Sequence, residues 1–365
     1  MKSVTNNIYE KMTKYDFSVI IIAVIISIMG LINIYSATNK GFFGHQLILV
    51  GVGMALMIVF TIVDYRKMGR IVYIAYALNV LLLVVVLVLG RTAMGATRWL
   101  SISFLNIQPS ELMKITMMLA LAKYFNDDIN VRGYTLRELL VPALMVAAPV
   151  GLVVIQPDLG TTLLLIIAAF SMFLFVKIRI QSVIILAVVA IITLPVVYNF
   201  ALKDYQKKRV ITFLNPELDP KGAGYNSLQS KIAVGSGRFT GKGFQKGSQT
   251  QLNFLPEHHT DFIFSVLAEE HGFLGTFFLV LLYTILLISG VRIASRAGDK
   301  MGVLIGVGCT AIIFWHVFIN IGMVIGIMPI VGITLPFMSY GGTSIVVNFI
   351  MIGLLQSIAI RRFMF

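Results

Sequence analysis

The chain has 365 residues, 58% of them apolar and only 12% charged, with a formal net charge of +13 and a single cysteine. A soluble domain carries about a quarter of its residues charged, so this composition excludes a water-soluble globular protein and makes the bilayer the expected solvent. Cys309 alone excludes an intrachain disulfide framework, and the basic residues lack aromatics interleaved at a stacking spacing, which argues against nucleic acid as a partner.

A helix needs roughly 20 apolar residues to cross about 30 Å of hydrocarbon. Taken in chain order, the runs that meet this length predict ten spans, at about 17–37, 46–64, 71–90, 109–126, 138–157, 159–176, 180–202, 261–290, 302–327 and 341–360. The first exceeds the about 7–15 residues of a secretory h-region and reads as a retained span. Between the fifth and sixth, Pro157 and Gly160 of QPDLG mark a reversal. With the N-terminus inside, sixteen Lys and Arg fall in inner segments against Lys40, Arg91 and Arg98 in short outer loops. Short cytoplasmic loops accumulate basic residues, so both termini are expected in the cytoplasm. The expected fold class is an all-α polytopic membrane protein of about ten transmembrane helices. It forms a single integral membrane domain over 1–365, with a large extracellular loop, about 203–260, between helices 7 and 8.

That loop is far longer than usual and net positive on the face where topology does not demand it, which suits an anionic extracellular ligand. Its SLQSKIAV piece predicts a short helix lying at the interface. The stretch GSGRFTGKG superficially resembles a phosphate loop, but it lacks the strand before, the helix after and the Walker spacing, and a flexible loop is the plainer reading. Most of the remaining positive charge is the inner-face asymmetry, with attraction to anionic headgroups.

Ionisable groups inside spans are costly and generally face a cavity or a partner. Five acids remain near outer span ends, Glu111, Asp158, Asp261, Glu269 and Glu270, and Lys114 lies well inside an apolar run. Glu111 and Lys114, at i and i+3, share a helix face and can pair. QPSEL (108–112) and QPDLG (156–160) also place an acid after a first-turn proline, as a helix N-terminal partner would be. Capping does not explain a buried ammonium one turn deeper, so Glu111 is read as a site residue, while Asp158 stays open between the two roles. Around a helix, Glu269 lies about 80° and Glu270 about 180° from Asp261, so the glutamates are expected as ties to neighbouring helices or the loop.

Five motifs in register along nearly the whole chain carry a resemblance: GATRWLSISFLNIQPSELMK (95–114), QPDLGTT (156–162), GYNSLQSKIAVGSG with GKG (224–243), LPEHHTDFIF (255–264) with EEHGFLG, and GIMPIVGITLPFMSYGGTS (326–344). Together they resemble the family of shape, elongation, division and sporulation (SEDS) proteins. GSQTQLNFLPE (247–257) is closer to the elongation members than to the division members, and Arg238 departs from the glycine more often found after GSG. The resemblance implies a peptidoglycan glycosyltransferase of the bacterial cytoplasmic membrane that polymerises lipid II on the outer face and works with a class B penicillin-binding protein. It implies Asp261 as the catalytic carboxylate, Arg98, Glu111 and Lys114 as residues lining an outer cavity, Asp158 as the acid of QPDLG, and Ser339–Thr343 as a packing turn.

The chemistry suits these residue types. A glycan hydroxyl attacking an anomeric carbon needs a base, and the departing polyprenyl pyrophosphate needs cations. Asp261 is expected to serve as base, with Arg98, Lys114, Arg209 and Lys242 on the leaving group; a single displacement gives inversion. Glu111, Asp158 and Asp261 are hard oxygen ligands suited to Mg²⁺ or Mn²⁺ bridging phosphates, although no spacing fixes a metal site. His258 and His259 point about 100° apart on a helix and suit zinc poorly; His45, His271 and His316 are isolated and read as packing residues. The rival reading is a flippase for the lipid-linked precursor, which should instead show polar midplane residues, repeated halves and broken helices. A non-catalytic scaffold is a third.

Overall fold

The computed structural model describes residues 16–362 apart from 39–40, 94–95, 103–104, 129, 131–132, 197–203, 221, 253 and 256. Lys2, Lys11, Lys14 and Arg132 among the sixteen inner basic residues, Lys40 among the outer three, and Lys203 and Lys221 of the long loop lie outside the described residues.

Helices α1 (Phe17–Thr38), α2 (Phe43–Ile62), the single turn α3 (Tyr65–Met68) and α4 (Val72–Leu89) come first. Strands β1 (Arg91–Ala93), β2 (Ala96–Ile102) and β3 (Leu105–Ile107) follow, then α5 (Pro109–Asp127), α6 (Leu140–Ile155), α7 (Leu159–Leu174) and α8 (Ile180–Val196). The loop region holds α9 (Asp204–Leu214), a 3-10 turn, α10 (Ala223–Ser236) and α11 (Ser248–Gln251). Helices α12 (Ile263–Ser295), α13 (Lys300–Val324) and α14 (Gly342–Arg361) complete the chain.

Among the described residues six helices, α1, α2, α4, α12, α13 and α14, are long and apolar enough to cross a membrane, and α6 and α7 are shorter apolar helices. These mark a multi-pass membrane protein. The apolar window of α14 is 89% buried and that of α13 72%, against 22% for α4; α13 and α14 therefore form the centre and α4 the lipid-facing edge. Helix α14 packs mainly on α2, and a Cβ at Gly353 would lie 2.6 Å from the Met57 carbonyl. Lipid offers no hydrophobic drive between helices, so close backbone approach of this kind is what holds them.

The expectation of an all-α chain is corrected by β1–β2–β3, an antiparallel meander in which Leu100 pairs with Ile107 and Ile102 with Leu105. The Thr, Trp and Ile of TRWLSI favour strand locally, and the strand pairing satisfies backbone groups between α4 and α5. Among the described residues of 203–260 three helices replace the flexible loop expected there, and α10 covers the SLQSKIAV piece.

Helix α12 is broken at Gly272, whose φ of 64° and ψ of −157° belong to a region open essentially to glycine alone. The stretch GSGRFTGKG wraps the break. Lys242 and Gly243 N–H donate to the carbonyls of Glu269 and Glu270 at 2.9 Å, while Phe273 and Leu274 N–H donate to Arg238 and Phe239 carbonyls at 2.9 and 3.2 Å. A Cβ at Gly241 would overlap the Glu270 carbonyl, so these glycines serve backbone contact with the helix rather than a phosphate.

Candidate functional site

Asp261 sits on the turn Glu257–Phe262 that leads into α12. Thr260 ties that turn internally, its hydroxyl donating to the Glu257 carboxylate at 3.0 Å. The 339–341 turn clasps it from outside: Ser339 Oγ donates to the Thr260 carbonyl at 2.6 Å and Tyr340 N–H to the His259 carbonyl at 2.9 Å. Asn320 Nδ2 on α13 donates to the carbonyl of Asp261 itself at 2.8 Å. The Asp261 carboxylate rests against Gly332, where a Cβ would stand 3.3 Å from Oδ2.

Asp261 is partly accessible, yet its carboxyl is pushed up to about 7. Burial is the largest cause and the Glu257 charge the next; Arg209 opposes, Asp158 adds and Arg98 opposes in turn. A carboxylate poised near neutral pH, with two guanidiniums in its field, has the protonation range a general base needs. Beside the turn a cavity of about 300 Å³ is lined by Thr38, Phe42, Thr250, Gln251, His258 and His259, with the His259 ring stacked on Phe42 at 4.6 Å.

Asp158 has two sets of partners. It caps α7, accepting from Thr161 N–H at 3.1 Å, and it pairs with Arg98 Nη1 at 3.7 Å while accepting from Gln108 Nε2 at 3.1 Å. Arg98 also donates to the Pro157 carbonyl, so the QPDLG turn aims the guanidinium contributed by β2. Gln108 is held in turn by Thr343 Oγ1, which accepts its N–H at 2.9 Å.

Glu111 does not cap α5; its carboxylate accepts from Lys114 Nζ at 2.7 Å, and its second oxygen is buried with no hydrogen-bond partner. Lys114 is fully buried and also donates to His316 Nε2 at 2.8 Å. Lys242, by contrast, does not join the arginines around Asp261. It pairs with Glu269 at 2.7 Å, alongside donors Gln249 N–H at 3.0 Å and Ser248 Oγ at 3.2 Å. Glu270 accepts from Ser36 Oγ and from Gln245 N–H at 3.2 Å. Both glutamates thus tie the loop to the bundle, and Lys242 is the cation that neutralises one of them.

Gln108, His316 and Asn320 were missed in sequence. His316 and Asn320, four apart in an otherwise apolar span, carried the available signal. Among the described residues no three His, Cys, Asp or Glu side chains group as a metal site. Glu111 and Asp158 are each engaged by protein partners.

The cell cycle protein family model covering FtsW, RodA and SpoVE matches residues 14–363. The peptidoglycan glycosyltransferase MrdB of Escherichia coli K12 is 38% identical over 356 residues, which is 95% of this chain and 94% of MrdB. A chain of a peptidoglycan synthase complex that coordinates polymerisation and crosslinking superposes with a TM-score of 0.83 at 29% identity, covering 96% of this chain and 99% of that one. The Thermus thermophilus rod shape determining protein RodA superposes with a TM-score of 0.72 at 27% identity, covering 96% and 98%.

Proposed function

Since the chain belongs to the FtsW, RodA and SpoVE family of cell cycle proteins, we propose that it is a peptidoglycan glycosyltransferase that polymerises lipid II during cell elongation. The observation that carries the reading is Asp261: a partly accessible carboxylate raised to about 7, in the field of Arg98 and Arg209. It takes the proton of the acceptor hydroxyl as the anomeric bond to pyrophosphate breaks, and the guanidiniums receive the diphosphate charge. One displacement inverts the anomeric centre. Lys114 and Glu111 support the site from α5, and Lys242 acts through Glu269. A class B penicillin-binding protein is the expected partner, which the likeness to the synthase-complex chain supports.

In this reading ten helices, α1, α2, α4–α8 and α12–α14, cross the cytoplasmic membrane as one integral domain with both termini inside, and the 203–260 region lies outside. An exposed Ser248→Cys in a Cys309→Ser background is therefore expected to react with an impermeant thiol reagent applied to intact cells; labelling that requires permeabilisation contradicts the orientation. With Glu111 paired to Lys114 and Asp158 to Arg98, purified protein without substrate is expected to retain no stoichiometric Mn²⁺ by electron paramagnetic resonance. A tight one-to-one signal in the absence of lipid pyrophosphate contradicts that expectation.

The break at Gly272 favours the flippase reading, since transporters use discontinuous helices. Here the break is filled by backbone from residues 238–243, which makes it a docking point for the loop and not a free half-helix end.

A further inference from the structure

His316 and Asn320 stand one turn apart on α13 and together reach two neighbouring carbonyls. His316 Nδ1 lies 3.0 Å from the Thr334 carbonyl, and Asn320 Nδ2 donates to the Ile333 carbonyl at 2.6 Å. Each has a second engagement on the site side. A carbonyl can only accept, so His316 carries its proton on Nδ1 and offers the Nε2 lone pair to Lys114 Nζ at 2.8 Å. The other Asn320 hydrogen goes to the Asp261 carbonyl at 2.8 Å. Both side chains are almost fully buried, so water does not substitute for these bonds. The segment they hold includes Gly332, against which the Asp261 carboxylate rests. The same segment meets Gly160, where a Cβ would stand 2.8 Å from the Val331 carbonyl, so the QPDLG turn that aims Arg98 abuts it as well.

We infer that His316 and Asn320 are positioning residues that fix the Lys114 ammonium and the Asp261 carboxylate relative to one another, using the Ile333 and Thr334 carbonyls as a common rail. The inference rests on the polymerase reading. Neither side chain touches substrate; each sets where a site group stands, and one rigid helix turn sets the interval between them. A displacement of about 1 Å at a reacting group can cost on the order of a hundredfold in rate, which gives the expected size of the effect.

The test compares His316→Leu, Asn320→Leu and the double variant with wild type, using lipid II and the penicillin-binding partner. Each single variant is expected to lower kcat about a hundredfold, with KM for lipid II changed less than about threefold. The double variant should fall no further than the worse single, because both act through one segment. In Asn320→Leu the acid limb of the pH profile should also move to lower pH, as Asp261 leaves Gly332 for water, while His316→Leu leaves that limb in place. Should Asn320→Leu fail to fold, Asn320→Ser leaves room for water on the freed carbonyls and tests the same shift. Unchanged kcat, or additive losses with an unmoved acid limb and thermal stability lost in proportion, would overturn the inference. If wild type polymerises and Asp261→Asn does not, such a result sinks the positioning role and leaves the proposed function standing. Carbodiimide labelling of Asp261 against pH, followed by mass spectrometry, reads the same midpoint without activity: a lower midpoint in Asn320→Leu supports the inference, and an unchanged one overturns it even if no glycan forms.

Discussion

Asp261→Asn is expected to fold, insert and bind its partner but to make no detectable glycan from lipid II, a loss of at least about a hundredfold on the scale of general-base catalysis. The amide keeps the shape of the side chain and leaves its backbone bond to Asn320 untouched. Fold is not threatened, because a carboxyl raised from 3.8 to about 7 binds its proton more tightly folded than unfolded. Above the ordinary carboxylate range its charged form therefore weighs against the folded state, and asparagine removes that burden. The same shift sets the pH dependence. Below about 7 the carboxyl is protonated and cannot accept a proton, so the wild-type rate should rise with pH through that region. If Asp261 did no more than begin α12, asparagine would serve about as well; near-normal polymerisation by the variant would refute the base assignment.

Lys114→Met is the second large effect. Its ammonium is buried between Glu111 Oε1 at 2.7 Å and His316 Nε2 at 2.8 Å. Removing one partner of a buried pair leaves the other charge uncompensated, at a cost of roughly 3–5 kcal/mol. The single variant is thus expected to lose both activity and thermal stability, which alone does not separate site from scaffold. Pairing it with Glu111→Gln removes the stranded charge, so the double variant should regain most of its thermal stability in detergent while polymerisation stays at least about a hundredfold down. Recovery of both fold and activity in the double variant would assign Glu111 and Lys114 a purely structural role.

The six helices long and apolar enough to cross a membrane among the described residues were legible because bilayer thickness sets a length that composition alone reveals. Lys114 was legible for the same reason, since an ammonium inside an apolar run needs a partner and Glu111 stands at i+3 spacing. The meander β1–β2–β3 was not, because three short strands give far less signal than a span does. The loop around Gly272 was hidden for a different reason: its bonds join residues 238–243 to 269–274, and pairing at that separation leaves no local pattern. Charge counting sent Lys242 toward the pyrophosphate because a count cannot see Glu269. His316 looked isolated because its partners, Lys114 and Thr334, come from α5 and from the segment before α14.

Reconstitution into liposomes with labelled lipid II in both leaflets separates polymerase from flippase, with glycan length and movement of label between leaflets read from the same sample. Glycan strands are expected from the wild-type chain with its penicillin-binding partner and none from Asp261→Asn, with no acceleration of lipid II transfer across the bilayer by either. Rapid transfer without any glycan would contradict the polymerase reading and favour the flippase.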